Sequence, residues 1–111
     1  MSDSEVTRPL AGLTLLESNA EGSPMALRLA NAFAGRLFAD LGARVIKLEP
    51  AAGDPVRNAP PMLPARHADA APASALFEFL NCGKLSLRMP PEPRAALETL
   101  LAGRVDGLLA E

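Results

Sequence analysis

Short apolar runs alternate with longer amphipathic segments along this chain. The apolar runs predict β-strands at residues 13–17, 44–48, 85–89 and 105–110. Segments with polar side chains at helical intervals predict helices at residues 23–41, 74–80 and 91–102. Alternation of this kind, with connections long enough to cross a sheet, favours an α/β fold. We therefore expect a Rossmann-like open, mainly parallel sheet with flanking helices.

The first helix has clear boundary signals and two unlike faces. Ser23 can cap its free backbone N–H groups, Pro24 suits its first position, and Gly42 can adopt the left-handed turn that ends it. About half of its circumference carries the polar residues Arg28, Asn31, Arg36 and Asp40. Most of the other half is apolar, namely Leu27, Ala30, Ala34, Leu37, Phe38 and Leu41. This apolar face is predicted to be covered.

Residues 50–73 differ from the rest of the chain because they are rich in proline and alanine and lack a periodic pattern. So long a connection inside one domain is a functional loop, an arm that wraps a neighbour, or a disordered segment. We expect a flexible tail at residues 1–8 and a single α/β segment at residues 9–111 that contains this loop. Ser74 is predicted to cap the short helix that follows.

Composition excludes several classes of function. A net charge of −2 gives no general attraction to nucleic acid or to an anionic membrane. Aromatic residues make up only 4% of the chain, so few side chains could stack on the bases of a single-stranded nucleic acid. No apolar run approaches the ~20 residues of a membrane span. Cys82 is the one cysteine, so no internal disulfide can form. With a polar start that lacks a signal sequence, these features predict a cytoplasmic protein.

Few side chains suggest catalysis by themselves. His67 is interpreted as a solvated loop residue because a metal site needs several converging ligands. Cys82 is interpreted as a buried structural thiol in preference to a nucleophile. The turn after the first strand lacks the glycine-rich fingerprints of dinucleotide and P-loop sites, which disfavours an unrelated nucleotide binder.

Three charged residues follow or precede strands, where ligands of α/β sheets bind. Glu49 ends the second strand and is either a solvated carboxylate or a ligand-binding group. Arg57, on the turn that starts at Gly53, is either a solvated side chain or a grip for phosphate. Lys84 is either a surface charge or a phosphate contact.

An ordered set of motifs resembles the N-terminal segment of the class III CoA-transferases, of the formyl-CoA transferase or carnitine CoA-transferase type. The set begins with PLAGL at residues 9–13 and AGRLFADLGA at residues 34–43. It continues with VIKLEP at residues 45–50, GDPVR at residues 53–57, and Phe77, Asn81, Gly83, Lys84 and Ser86. A final strand at residues 105–110 completes the resemblance, which covers residues 9–111.

The resemblance implies that the full-length activity is CoA transfer between an acyl-CoA and a carboxylic acid. It implies coenzyme A as the substrate that is bound, without a metal. The residues that it places near CoA are Leu29, Ala30, Asn31, Pro50, Arg57, Lys84 and Met89. The family's nucleophilic aspartate matches no residue of this chain, so no catalytic residue is assigned and the chain alone is expected to be inactive.

Two departures from the family pattern predict weak CoA binding. Residues 29–32 read LANA where relatives carry Ala-Gly-Pro, and Glu92 stands where a basic residue is common. The alternative function is a non-catalytic CoA-binding or interaction module that acts with a partner chain. In either case we expect a homo-oligomer or a complex with a companion CoA-transferase subunit, and neither nucleic acid nor membrane as a partner.

Overall fold

The computed structural model describes residues 7–90 and 94–110. Most of the predicted tail, Glu92 and the start of the last predicted helix lie outside these ranges. The sheet elements in chain order are β1 Thr14–Ser18, β2 Arg44–Glu49, β3 Met62–Leu63, β4 Ala73–Ser74, β5 Leu85–Arg88 and β6 Gly107–Ala110. The helices are α1 Met25–Asp40, a 3-10 turn Pro55–Asn58, α2 Ala75–Asn81 and α3 Arg94–Ala102.

The main sheet confirms the predicted α/β class. Its strands lie in the order β5-β2-β1-β6 and all neighbours are parallel. β1 is therefore a central strand. Two hydrogen bonds connect the first residue of β1 to the residue before β6. Thr14 N donates to Asp106 Oδ2 at 2.8 Å, and Asp106 N donates to Thr14 O at 2.8 Å.

Helices cover both faces of this sheet. Leu15 and Val45 face α1, where Phe38 and Ala39 pack against them. Leu16 and Leu48 point to the opposite face, as alternate strand residues must, and contact Leu101 of α3. The spacing of Leu97, Leu100 and Leu101 along the last helix predicts that all three point inward. Leu101 does so, but Leu100 is 53% exposed. The side chain of Leu97 lies outside the part that the structure describes.

The covered face of α1 differs from the predicted one. Its buried residues are Arg28, Ala32 and Gly35, whereas Leu27, Leu37 and Leu41 are 43–48% exposed. The reason is the charge of the sheet beneath it: small residues allow the helix to lie close to buried ionic groups of β1 and β2. The prediction of a covered apolar face is therefore wrong for most of its members.

Of the four predicted turn and cap signals, those at Gly42 and Ser74 are confirmed, and those at Ser23 and Pro24 are each displaced by one residue. Gly42 has φ +106° and ends α1, and Ser74 Oγ accepts from Phe77 N at 3.1 Å at the start of α2. Ser23 is not the cap of α1. Its hydroxyl donates to Ala20 O at 2.7 Å, and the extended backbone of Pro24 makes that residue the cap instead.

Contacts join both ends of the proline-rich connection to the domain, and residues 60–69 between them are exposed. Asp54 caps the 3-10 turn through a 2.8 Å bond from Val56 N, and Val56 is buried. β3 and β4 then form a short antiparallel pair, and Ala75 N donates to Pro61 O at 2.9 Å. These contacts are too local to create a periodic sequence pattern. Within residues 7–90 and 94–110, no helix has the length and apolar character that crossing a bilayer requires.

Candidate functional site

Two clefts open at the carboxyl ends of the main strands. The first cleft, of about 420 Å³, lies between the loop after β1 and the turn after β2, and Asn19, Arg28 and Pro50 line it. The second cleft, of about 380 Å³, lies between that turn and α2, and Arg57 and Arg88 line it. The turn at residues 50–55 therefore separates the clefts. Ligands of open parallel sheets bind at this edge.

A buried ionic cluster of Glu17, Lys47, Asp54 and Lys84 supports this edge of the sheet. The Glu17 carboxylate accepts from Lys47 Nζ and from Lys84 Nζ, each at 2.6 Å. Lys47 Nζ also lies 2.9 Å from Asp54 Oδ2. None of the four side chains is more than 3% exposed. The cluster joins β1, β2, the residue before β5 and the turn after β2, so it holds these segments in fixed positions relative to one another.

Lys84 lies inside this cluster, and its interpretation as a surface charge is wrong. Its ammonium group lies 2.6 Å from Glu17 Oε1, 2.8 Å from Ala32 O and 2.8 Å from Asn81 Oδ1. Burial lowers the pKa of Lys84 although Glu17 acts to raise it. All three ammonium protons have protein acceptors. A phosphate contact would therefore have to displace one of them.

Glu49 and Arg57 form a second ionic unit, at the border of the second cleft. Arg57 Nε and Nη2 donate to the two Glu49 carboxylate oxygens at 2.7 Å each, and Asp54 N donates at 2.8 Å. Ser86 also donates to this carboxylate. Glu49 is fully buried, so its interpretation as a solvated carboxylate is wrong. The guanidinium of Arg57 also lies over the ring of Phe77, 4.0 Å from its centroid.

These bonds predict a pH-dependent contribution to stability. Burial alone would raise the pKa of Glu49, but the hydrogen bonds from Arg57, Ser86 and Asp54 outweigh it and lower the pKa from 4.5 to about 2. A carboxylate with a lowered folded-state pKa stabilises the fold above its unfolded pKa, and this stabilisation is lost as the pH falls through the folded value. The Glu49 carboxylate should therefore lose about 3 kcal/mol of its contribution to the free energy of unfolding between about pH 5 and pH 2.

Glu49→Gln tests this expectation. Chemical unfolding at a series of pH values gives the free energy of unfolding of the wild type and of the variant. The difference between these two free energies should shrink by about 3 kcal/mol as the pH falls to 2. Glu21→Gln makes the same change at an exposed position. Parallel profiles for the wild type and Glu49→Gln would show that this carboxylate titrates normally.

The other residues that the sequence resemblance assigns to CoA binding lie in separate parts of the fold. Pro50 lines the first cleft. Leu29 and Asn31 are half-buried and Ala30 is exposed on α1, and Asn31 Nδ2 donates to Asn19 Oδ1 at 2.8 Å. None of these three lines either cleft. Met89 is 2% exposed and packs with Leu16 and Leu48 on the face covered by α3. The structure thus brings Pro50 and Arg57 to the clefts and leaves the others apart.

Sequence reasoning missed two arginines at the clefts. Arg88 is the exposed last residue of β5 and lines the second cleft. Arg28 was assigned to the polar face of α1 but is 7% exposed and lines the first cleft. The position of Arg88 at a strand end was a usable signal. No local pattern distinguishes Arg28 from a solvated helix residue.

The histidine and the cysteine are both exposed at the surface. His67 is exposed in the proline-rich connection. Cys82 is exposed as well, because α2 ends at Asn81 and the chain turns there, so its interpretation as a buried thiol is wrong. In the described part of the chain, no three or more His, Cys, Asp or Glu side chains gather in a way that could hold a metal ion.

An open parallel sheet with helices on both faces and clefts at its carboxyl edge defines a Rossmann-like α/β segment. The sequence signature of CoA-transferase family III matches residues 11–103, and the chain belongs to this family. No curated protein matches the chain significantly.

Solved structures agree with this assignment. The chain is similar to a CAIB/BAIF family protein from Brucella suis, with 29% identity and a TM-score of 0.73 over 93% of this chain. It is also similar to the hypothetical protein Rv3272 from Mycobacterium tuberculosis, with 27% identity and a TM-score of 0.66 over 91% of this chain. The chain spans 25% and 24% of the lengths of these two relatives.

Proposed function

We propose that this chain forms the N-terminal part of a protein that transfers CoA between an acyl-CoA and a carboxylic acid. Membership of CoA-transferase family III is the main support. The chain corresponds to about a quarter of each solved relative, so the complete reaction needs structure that these residues do not supply. No residue of this chain is assigned a catalytic role, and we expect no turnover of acyl-CoA by the chain alone.

The single observation that carries CoA binding is the pair of arginines beside Gly53. A Cβ atom at Gly53 would lie 3.3 Å from Arg57 Cδ and 3.4 Å from Arg88 Nη2. Both side chains line the second cleft, which has a volume of about 380 Å³. CoA carries several phosphate oxygens, and guanidinium groups bind such oxygens through paired hydrogen bonds. Because Glu49 already binds Arg57 through Nε and Nη2, we propose that Arg88 is the main cation for a phosphate-bearing ligand and that Arg57 supports it.

We propose different roles for the residues that the sequence resemblance assigns to CoA binding. Pro50 and Arg57 line the clefts and contact the ligand directly. Lys84 and Met89 are buried, and we propose that they support the strand ends from within the fold. Leu29, Ala30 and Asn31 lie along α1, and they would meet the ligand only where it leaves the clefts. Arg88 joins the set as a phosphate contact.

Titration of the chain with CoA by calorimetry tests the site. We expect weak binding, in the micromolar range or above, that Arg88→Gln weakens by about tenfold because one charge-assisted contact is lost. Arg44→Gln is the matched control, since Arg44 is an exposed arginine at the opposite end of β2. Sub-micromolar affinity, or equal affinity for both variants, would show that the site is wrongly placed.

The alternative is a non-catalytic CoA-binding or interaction module that acts with a partner chain. Its support is the exposed apolar surface: Leu27, Phe33 and Leu37 of α1 are 43–48% exposed, and Leu85 of the edge strand β5 is 55% exposed. Surfaces of this kind mark association. We propose a homo-oligomer or a companion CoA-transferase subunit as the partner under either function.

A further inference from the structure

A third cleft lies on the face of the main sheet that α3 covers. Its volume is about 230 Å³, and its apolar lining in the described part of the chain consists of Leu16, Ala102, Leu108 and Ala110. Leu16 and Leu108 are paired neighbours on β1 and β6, yet Leu16 is 2% exposed and Leu108 is 54% exposed. α3 therefore covers β1 but leaves part of β6 open, and the cleft lies where this cover ends.

The strand order places this cleft at the switch point of the sheet. From β1 the chain crosses by α1 to β2 and continues outward to β5, and it then returns by α3 to β6 on the other side of β1. The order thus reverses between β1 and β6. The last residues of these two strands, Ser18 and Ala110, are paired with each other and line the third cleft. Open α/β sheets bind ligands in the crevice at such a point.

The third cleft meets the first cleft at the end of β1. Ser18 lines the third cleft, and the next residue, Asn19, lines the first. Consecutive Cα atoms are about 3.8 Å apart, so one molecule of modest length can reach over the sheet edge into both clefts. The first cleft is bordered by the buried polar side chains of Asn19 and Arg28, whereas the third is mainly apolar. A ligand that spans the edge is therefore polar at one end and apolar at the other.

The lining and the volume define the apolar end of such a ligand. Glu98 is the ionisable residue that lines the third cleft in the described part of the chain, so its charge disfavours a carboxylate there and leaves an uncharged chain favoured. An apolar cavity of about 150 Å³ holds a ring of six carbons. A volume of about 230 Å³ therefore has room for an alkyl chain of about six carbons.

We propose that the third cleft binds the aliphatic acyl chain of a thioester, and that Leu108 and Ala110 set the chain length that fits. This assignment rests on the proposed transfer of CoA from an acyl-CoA. It names the substrate class as acyl-CoA with a chain of about four to six carbons. The phosphate contact at Arg88 lies in the second cleft, so the two sites are tested separately.

Thioesters of N-acetylcysteamine test the third cleft because they carry the acyl group without any phosphate. NMR titrations of the isotope-labelled full chain with the acetyl, butyryl and hexanoyl thioesters give a dissociation constant for each. We expect the affinity to rise by about two- to fourfold for each added CH₂ group, because each one loses contact with water on binding. The backbone amide signals of Leu108 and Ala110 should be among those that shift.

Two variants locate the binding of the hexanoyl thioester. Ala110→Leu fills the cleft from an exposed strand end and should weaken binding by about fivefold. Leu108→Ser removes apolar lining and should weaken it by about threefold. Leu100→Ser is the matched control, since Leu100 is 53% exposed on α3 and does not line the cleft. Its affinity should equal that of the wild type.

Equal affinities across the acyl series would overturn the proposal. So would a cooperatively folded Ala110→Leu protein that binds the hexanoyl thioester as the wild type does. Signals of Leu108 that shift with protein concentration and not with thioester would show that a second copy of the chain covers the cleft instead. A parallel titration with CoA separates the two proposals: binding of CoA without the thioesters refutes only the third cleft, and binding of the thioesters without CoA refutes only the phosphate site at Arg88.

Discussion

Replacing Glu17 by glutamine should lower the free energy of unfolding by about 3–5 kcal/mol, the range found when one partner of a buried ion pair is removed. Glu17 is fully buried and accepts from both Lys47 and Lys84 at 2.6 Å. A neutral amide of the same shape leaves these two ammonium groups buried, with Asp54 as the remaining carboxylate of the cluster. The loss is large because water cannot reach the uncompensated charges.

Urea unfolding of the purified proteins measures this effect. Glu21→Gln makes the same chemical change on an exposed side chain and should alter stability by less than about 0.5 kcal/mol. If the two variants lost equal stability, the ionic cluster would contribute nothing beyond an ordinary surface charge. A Glu17→Gln variant too unstable to purify, next to a well-behaved Glu21→Gln protein, agrees with the expectation.

Replacing Gly35 by alanine should destabilise the protein by about 2–3 kcal/mol, even though alanine is the better helix former by about 1 kcal/mol. A Cβ atom at this position would lie 2.5 Å from Glu17 Oε1 and 2.9 Å from Lys84 Nζ. Both groups are held by the buried cluster and cannot move aside without breaking short bonds. The helix must therefore lift from the sheet.

Gly103→Ala provides the comparison for this variant. A Cβ atom at Gly103 would lie 3.7 Å from its nearest neighbours, two backbone oxygens, which is an ordinary contact distance. The backbone of Gly103 is not left-handed, so alanine fits there without strain. The thermal unfolding temperature should be clearly lower for Gly35→Ala than for the wild type, and nearly unchanged for Gly103→Ala. A Gly35→Ala protein as stable as the wild type would mean that α1 does not need its close approach to Glu17.

The strands were predictable because their signals are local. Runs such as residues 44–48 and 85–89 contain enough apolar residues to mark a sheet, and the four strands of the main sheet lie within two residues of the predicted bounds. The short strands β3 and β4 were not predicted. The covered face of α1 was not predictable in the same way. It depends on Glu17 and Lys47, which lie on other elements, and a helical wheel of α1 contains no information about them.

The candidate site was predictable only in part, for a similar reason. Pro50 and Arg57 follow a strand end, where a general rule places ligands, and the structure puts both at the clefts. The buried ion pair of Lys84 was not predictable because its partner Glu17 lies 67 residues earlier. Glu49 was left open between a solvated and a ligand-binding carboxylate, and its pairing with Arg57, eight residues later, depends on the turn between them. Lys47 and Glu49 alternate with Leu48 in β2, which was the one available sign of an inward-facing ionic layer.

The central place of β1 in the sheet also affects how the chain can fold during synthesis. β1 leaves the ribosome early, but one of its two neighbours, β6, is made 92 residues later, as the spacing of Thr14 and Asp106 shows. No tight hairpin joins any two strands of the main sheet, so each pairing closes a long loop and forms slowly. A nascent chain therefore exposes one unpaired side of its central strand until β6 emerges. That interval is when protection by a chaperone matters most.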